Sequence, residues 1–267
     1  MAGVLSDAEF HELVQEVKDA VEKTRQVADT VLHQGDRALS FLSRLGAINK
    51  GDAESIIKEL ARHIDELWYV CSKFLVIEPG MPWRLYYDAA ASWTKVGGGA
   101  SALAAEANAG TLQAVNLWEG PAAYTYWLAI TPQNSALLAI KSISDEITNS
   151  LTNIAIGIVA LWAALLGALV VYLAELCVEA TATATVVAAP VAVPAAGAST
   201  LKVIGTITVL TGAFGTYMYM LLSEYQDLLT QLNSNAAFPK GHWPVPQADM
   251  SDASVTDGDS SDWRIRV

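Results

Sequence analysis

The chain has 267 residues, 52% of them apolar without counting glycine and 16% charged, with a mean hydropathy of +0.31. Average soluble domains are about 45–50% apolar with glycine included and about 25% charged, so this composition needs either a large buried core or a membrane. A net charge of −12 and a sequence pI of about 4.7 leave no basic stripe to displace counterions from phosphates, which excludes nucleic acid as a partner.

The first residues, "VLSDAEFHELVQEVKDAVEKTR", carry charges throughout and lack the uninterrupted apolar core of a secretory signal. A secreted or envelope-associated fate is therefore expected to proceed without a cleaved signal peptide. Ser6 and Glu9 fit a capping box, in which the serine serves an orphan backbone N–H and the glutamate reaches back. Behind it Phe10, Val14, Val17, Val21, Thr24, Ala28, Val31, Gly35, Ala38, Leu42 and Leu45 recur in steps of four and three. That is the seam of a long amphipathic, coiled-coil-like helix over Asp7–Leu45, with Gly35 as a candidate break. Ile57, Leu60, Ile64, Leu67, Cys71 and Phe74 form a second stripe, for which Asp52 is the expected cap. Pro79, Gly80 and Pro82 end it. Residues 1–78 thus read as an N-terminal amphipathic helical pair.

An alanine-rich helix is predicted from about Leu85 to Leu117, interrupted at Gly97-Gly98-Gly99. Trp118-Glu119-Gly120 then bends the chain, and Pro121 suits the first turn of a new helix. From Ile147 to Ala174 there is no charged residue. Ile154–Leu173 is an apolar run as long as a bilayer's hydrocarbon core is thick, about 30 Å as a helix. Thr181–Thr200, with Pro190 and Pro194, reads as a turn region or a short extended hairpin. Val203–Leu222 is a second apolar run of the same length. Ile154, Leu161, Leu173, Val203, Leu210 and Leu222 mark a candidate membrane hairpin. Three outcomes fit these runs: permanent spanning, burial in a soluble bundle, or a switch between the two. Residues 239–267 read as an acidic, disordered tail. Its closing "DWRIRV" alternates apolar residues with arginines and suits either a frayed end or a strand added to a partner's sheet edge.

No constellation for catalysis emerges, so no enzyme, cofactor or metal is expected. His11, His33 and His63 are placed on the charged faces of helices, and no paired-histidine zinc spacing or nucleophile elbow occurs. Adjacent Asp145 and Glu146 point to different sides of a helix rather than forming an acid–base pair. Cys71 and Cys177 read as two buried thiols, with a single disulfide as the alternative.

Residues Asp88–Ile130, with Trp118, Gly120, Ala122, Ala123 and the aromatics Tyr124 to Tyr126, resemble the WxG superfamily of helical-hairpin substrates of bacterial type VII secretion. A looser and longer likeness, from Pro82-Trp83 to about Asn233, is to the WxG-like N-terminal domain of large actinobacterial type VII toxins of the outer-membrane-channel and necrotizing type. The resemblance implies a hairpin turn motif at Trp118, Gly120, Pro121, Ala122 and Ala123, with Trp118 packing across the two helices. It implies a non-enzymatic secretion substrate, or the partner of one, that pairs with another helical-hairpin protein or with itself. The Tyr-x-x-x-Asp/Glu export signal of that family is missing after every tyrosine here, so a partner is expected to carry it. The alternative function is a membrane-inserting or pore-forming protein. The expected fold is all-α: an elongated bundle of long helical hairpins, divided into residues 1–78, a WxG-like plus apolar hairpin region over 83–235, and the tail.

Overall fold

The computed structural model describes residues 4–76, 80–108, 110–112, 117–119, 121–233, 237–244 and 264–265. It is all-α apart from one two-residue strand pair. Helix α1 spans Asp7–Arg44, α2 Lys50–Val76, α3 Ala91–Glu106, α4 Pro121–Thr183 and α5 Ala189–Leu232. A π-helical segment, Arg84–Ala90, precedes α3, and Pro239–Gly241 is a short 3-10 turn. Within the expected tail, only that turn, residues 242–244 and the strand at Arg264–Ile265 are among the described residues.

Contacts group the chain into two compact units. The first joins Met1–Trp83 to Ala155–Met218, and the second joins Arg84–Ile154 to Tyr219–Val267. The apolar hairpin therefore belongs with the N-terminal helical pair, whereas the expected division placed it with the WxG-like hairpin. The physical reason is complementarity. A helix that is apolar on most sides and a helix with one apolar stripe bury most when they pair with each other.

In the first unit, the start of α1 is the expected capping box: the Ser6 side chain accepts from Glu9 N–H, and the Glu9 carboxylate accepts from Ser6 N–H at 2.8 Å. The Ser6 hydroxyl, donating to Glu9 Oε2 at 2.7 Å, and then the Ser6 N–H hold the Glu9 carboxyl below its usual range. Gly35 does not break the helix. It is buried, and a Cβ there would stand 2.6 Å from Val193 Cγ2, so the glycine admits α5 against α1. The helix ends at Leu45 in a Schellman turn. Gly46 adopts φ +75°, its N–H donates to Ser43 C=O, and Ala47 N–H donates to Leu42 C=O. Leu45, expected in the seam, is exposed, and Leu39 takes the last buried place. The start of α2 is held by Asn49, whose side chain accepts from Gly51 N–H; the expected cap Asp52 lies one turn too late and serves only the helix dipole.

Four helical segments share the core of this unit. Phe10, Val31 and Leu39 from α1 and Leu60, Ile64 and Leu67 from α2 meet Trp162, Leu165, Leu169 and Leu176 from α4 and Val193, Val203 and Ile207 from α5. Burying such a side chain stabilises the fold by about 1.5–3 kcal/mol. Thr181–Thr200, expected as a turn or extended hairpin, is mostly helix. The chain turns only over residues 184–188, with Pro190 in the first turn of α5, where its missing N–H costs nothing. Both cysteines are free. Cys71 is buried, which pushes its thiol up to about 11, but Cys177 is exposed, against expectation.

In the second unit, α3 stops at Glu106 rather than Leu117, because Asn108 and the following turn take over the backbone hydrogen bonds. The triple glycine does not interrupt α3. Gly97 is buried with its Cβ position 3.1 Å from Ser144 Cβ, so it sets the approach of α3 to α4. The two helices run antiparallel: Asn134 donates to Ala104 C=O, and Thr148 donates to Ala90 C=O.

Candidate functional site: the apolar hairpin

The feature with the most to explain is the pair formed by the α4 and α5 stretches within the first unit. They zip antiparallel through small and polar residues. A Cβ on Gly157 would lie 2.6 Å from Tyr217 Cε1, so the ring closes over the glycine. Tyr172 and Thr200 share a hydroxyl hydrogen bond of 2.7 Å. At the turn end Ser199 donates to Glu179 at 2.8 Å, and Lys202 pairs with Glu175.

Of the candidate hairpin residues, Val203 is buried, Leu161, Leu173 and Leu210 are half-buried, and Ile154 and Leu222, half-buried and exposed, are assigned to the second unit. One face of the hairpin meets α1 and α2. The other carries Val170, Val171, Val178, Leu201 and Val209, all more than 40% exposed. Between Ile147 and Ser223 the sequence has three groups ionised at neutral pH: Glu175, Glu179 and Lys202. Two apolar clefts open between α4 and α5, of about 310 and 440 Å³. Ala164 and Leu210 line both.

The threonines of the second run are satisfied within the helix itself. Thr206, Thr208, Thr211 and Thr216 each donate to the backbone carbonyl four residues earlier. A hydroxyl satisfied this way does not need water, which removes the main cost of threonine in an apolar medium.

The turn motif is only partly described. Trp118–Glu119 is a short strand, β1, and Pro121 opens α4; Gly120 and the packing of Trp118 lie outside the described residues. Ala123 is buried. The closing segment, for which a frayed end or addition to a partner's sheet was expected, pairs within the chain. Arg264–Ile265, β2, runs antiparallel to β1, with Ile265 opposite Trp118 and Arg264 opposite Glu119.

His11 and His33 are exposed as expected, but His63 is buried. Arg62 donates to its Nε2 at 2.6 Å, while Nδ1 has no partner and faces Gly197 of α5. The signal was present in the sequence: His63 lies three residues after Leu60 and four before Leu67, on the buried stripe itself. Asp145 and Glu146 do point apart, to Lys141 and Gln231 respectively. Among the described residues, no three His, Cys, Asp or Glu side chains gather to hold a metal ion.

Compared with known proteins, the chain matches no family model, no curated protein and no solved structure.

Proposed function

We propose that the protein acts on or in a membrane through the 154–173 and 203–222 hairpin, without enzymatic chemistry. One observation carries this reading. The most apolar stretch of the longer helix is only 22% buried, whereas the core helix of a soluble protein of that composition is mostly buried. Over 154–173 and 203–222 the exposed face carries no charged side chain and its threonines bond to their own helix, so lipid can replace water there at little cost. The charged outer faces of α1 and α2 forbid that pair from following the hairpin into hydrocarbon. Insertion therefore exchanges one apolar neighbour, the α1–α2 stripe, for another, the acyl chains. The freed amphipathic helices suit the membrane interface.

The test is flotation of the full chain with phosphatidylcholine vesicles, followed by an alkaline carbonate wash. Carbonate-resistant protein supports insertion. A chain that stays monodisperse and unbound without detergent at neutral and mildly acid pH rejects it.

A second reading is a type VII secretion substrate or substrate partner of WxG type, exported or held at the envelope. The antiparallel α3–α4 hairpin, with its proline restart at Pro121, favours it. Its partner would be another helical hairpin or a second copy. Loss of the protein from culture medium when the secretion motor ATPase is deleted would support this reading, and unchanged export would reject it. The two readings are compatible, since an exported protein can be membrane-active.

A further inference from the structure

We infer that Glu179 is an acid latch on the hairpin: while ionised it holds the tip between the apolar runs out of the bilayer, and its protonation releases the tip for entry. This rests on the membrane reading above and adds its regulation.

The charge arithmetic comes first. The tip, residues 174–202, carries Glu175, Glu179 and Lys202. Glu175 and Lys202 form an ion pair across the hairpin. Glu179 is the remaining charge, so a single proton makes the tip neutral overall. A charged side chain is costly at the centre of a bilayer, and a neutral carboxyl is much less so.

The geometry favours that proton. Glu179 Oε1 accepts from the Ser199 hydroxyl, but Oε2 is sealed from water and has no hydrogen-bond donor. A carboxylate with one oxygen dry and unpaired is a poor anion, because burial penalises the charged form. Burial first, and then the neighbouring Glu175 charge, raise its proton affinity, against the opposing effect of Ser199. The proton is thus taken up at milder acidity than an ordinary carboxylate requires.

The surrounding groups are few. On α4 they are Glu175 and Tyr172, and on α5 Ser199 and Lys202. Across from α5, α2 presents His63 with Arg62 beside it, and Cys71. The contact from α1 to this end of α4 is Gln34, which accepts from Thr183, while His33, Asp36 and Arg37 are exposed. His63 belongs to α2 and does not travel with the tip.

The experiment is carbonate-resistant binding of the full chain to phosphatidylcholine vesicles at a series of pH values from neutral down into the ordinary carboxylate range. The vesicles are zwitterionic, so the overall net charge does not dominate binding. Wild type is compared with Glu179→Gln, Ser199→Ala, His63→Gln and the exposed control Glu66→Gln, after circular dichroism confirms equal helicity. Wild type should bind increasingly as the pH falls. Glu179→Gln should bind at neutral pH as wild type does in acid, a gain of about tenfold or more. Ser199→Ala should move the midpoint to higher pH, and Glu66→Gln should follow wild type. A Glu179→Gln profile that stays acid-dependent like wild type, or a midpoint that moves with His63→Gln instead, overturns the latch. Wild-type binding that is strong and flat with pH also overturns it while leaving the membrane reading intact. No binding by any variant at any pH removes both.

Discussion

Within the first unit, the α1–α2 pair and the α4–α5 hairpin bury their inner faces alike and differ in what they turn outward. In α1, Val14, Val17 and Val31 face the core, while the outward positions carry Glu12, Glu16, Lys18, Asp19 and Glu22. In α4, Leu165, Leu169 and Leu176 face the same core, but the outward positions carry Val170, Val171 and Val178. The inner stripes account for the fold. The outer faces are where function has to be sought, because a contiguous exposed apolar patch marks a surface for a partner or a membrane.

The inner half of that comparison is broken most strongly by Leu67→Ala. Leu67 is fully buried between the two pairs, and the truncation should cost about 2–5 kcal/mol in denaturant unfolding. If the pair covers a membrane-seeking face, the same change should also increase vesicle binding. The outer half is tested by Val170→Lys. Val170 is 53% exposed, so stability should move by less than about 0.5 kcal/mol. Val170 lies three residues from the end of the 154–173 run, where a lysine costs less than the about 2.5–3.5 kcal/mol it would cost at mid-membrane, so vesicle binding should fall by about tenfold.

Smaller effects sharpen the packing. Gly157→Ala forces the Tyr217 ring to move and should cost about 1–3 kcal/mol of overpacking, less up to about 1 kcal/mol gained in helix propensity. Gly98→Ala meets nothing within 4 Å and should raise stability by about 0.5–1 kcal/mol, read as a higher Tm. The smallest effect is a pH dependence. Because the fold raises the Glu179 carboxyl, the group favours the folded state below its unfolded pKa, and that contribution is lost as pH rises through the folded value. Glu179→Gln should therefore flatten stability across the mildly acid range when unfolding is followed at a series of pH values. Steepening on that substitution would show that the group is not held as described.

Much of this arrangement was legible in the sequence, and the gaps have physical causes. The α1 stripe, its capping box and the two apolar runs follow from local spacing and capping chemistry. The roles of Gly35 and Gly97 do not, because a glycine's meaning depends on what approaches it, here Val193 and Ser144 from distant segments. Thr181–Thr200 misled because its prolines and threonines suggest extended chain. Pro190 instead sits at a helix start, and Thr181 and Thr200 bond to the helix backbone four residues back. At the Trp118 bend, the pairing with Arg264–Ile265 joins residues far apart in the chain, and no local pattern announces it. His63 lies inside, not on a charged face, because the helical period set by Leu60 and Leu67 places it there.

The most direct test is carbonate-resistant flotation of the full chain alongside Val170→Lys, with the melting curves of both. The outward apolar face predicts that wild type floats, that the lysine variant floats about tenfold less, and that the two melt together. Wild type that stays monodisperse in the unbound fraction at neutral and mildly acid pH, or a lysine variant that floats equally well, would mean that this face does not meet a bilayer.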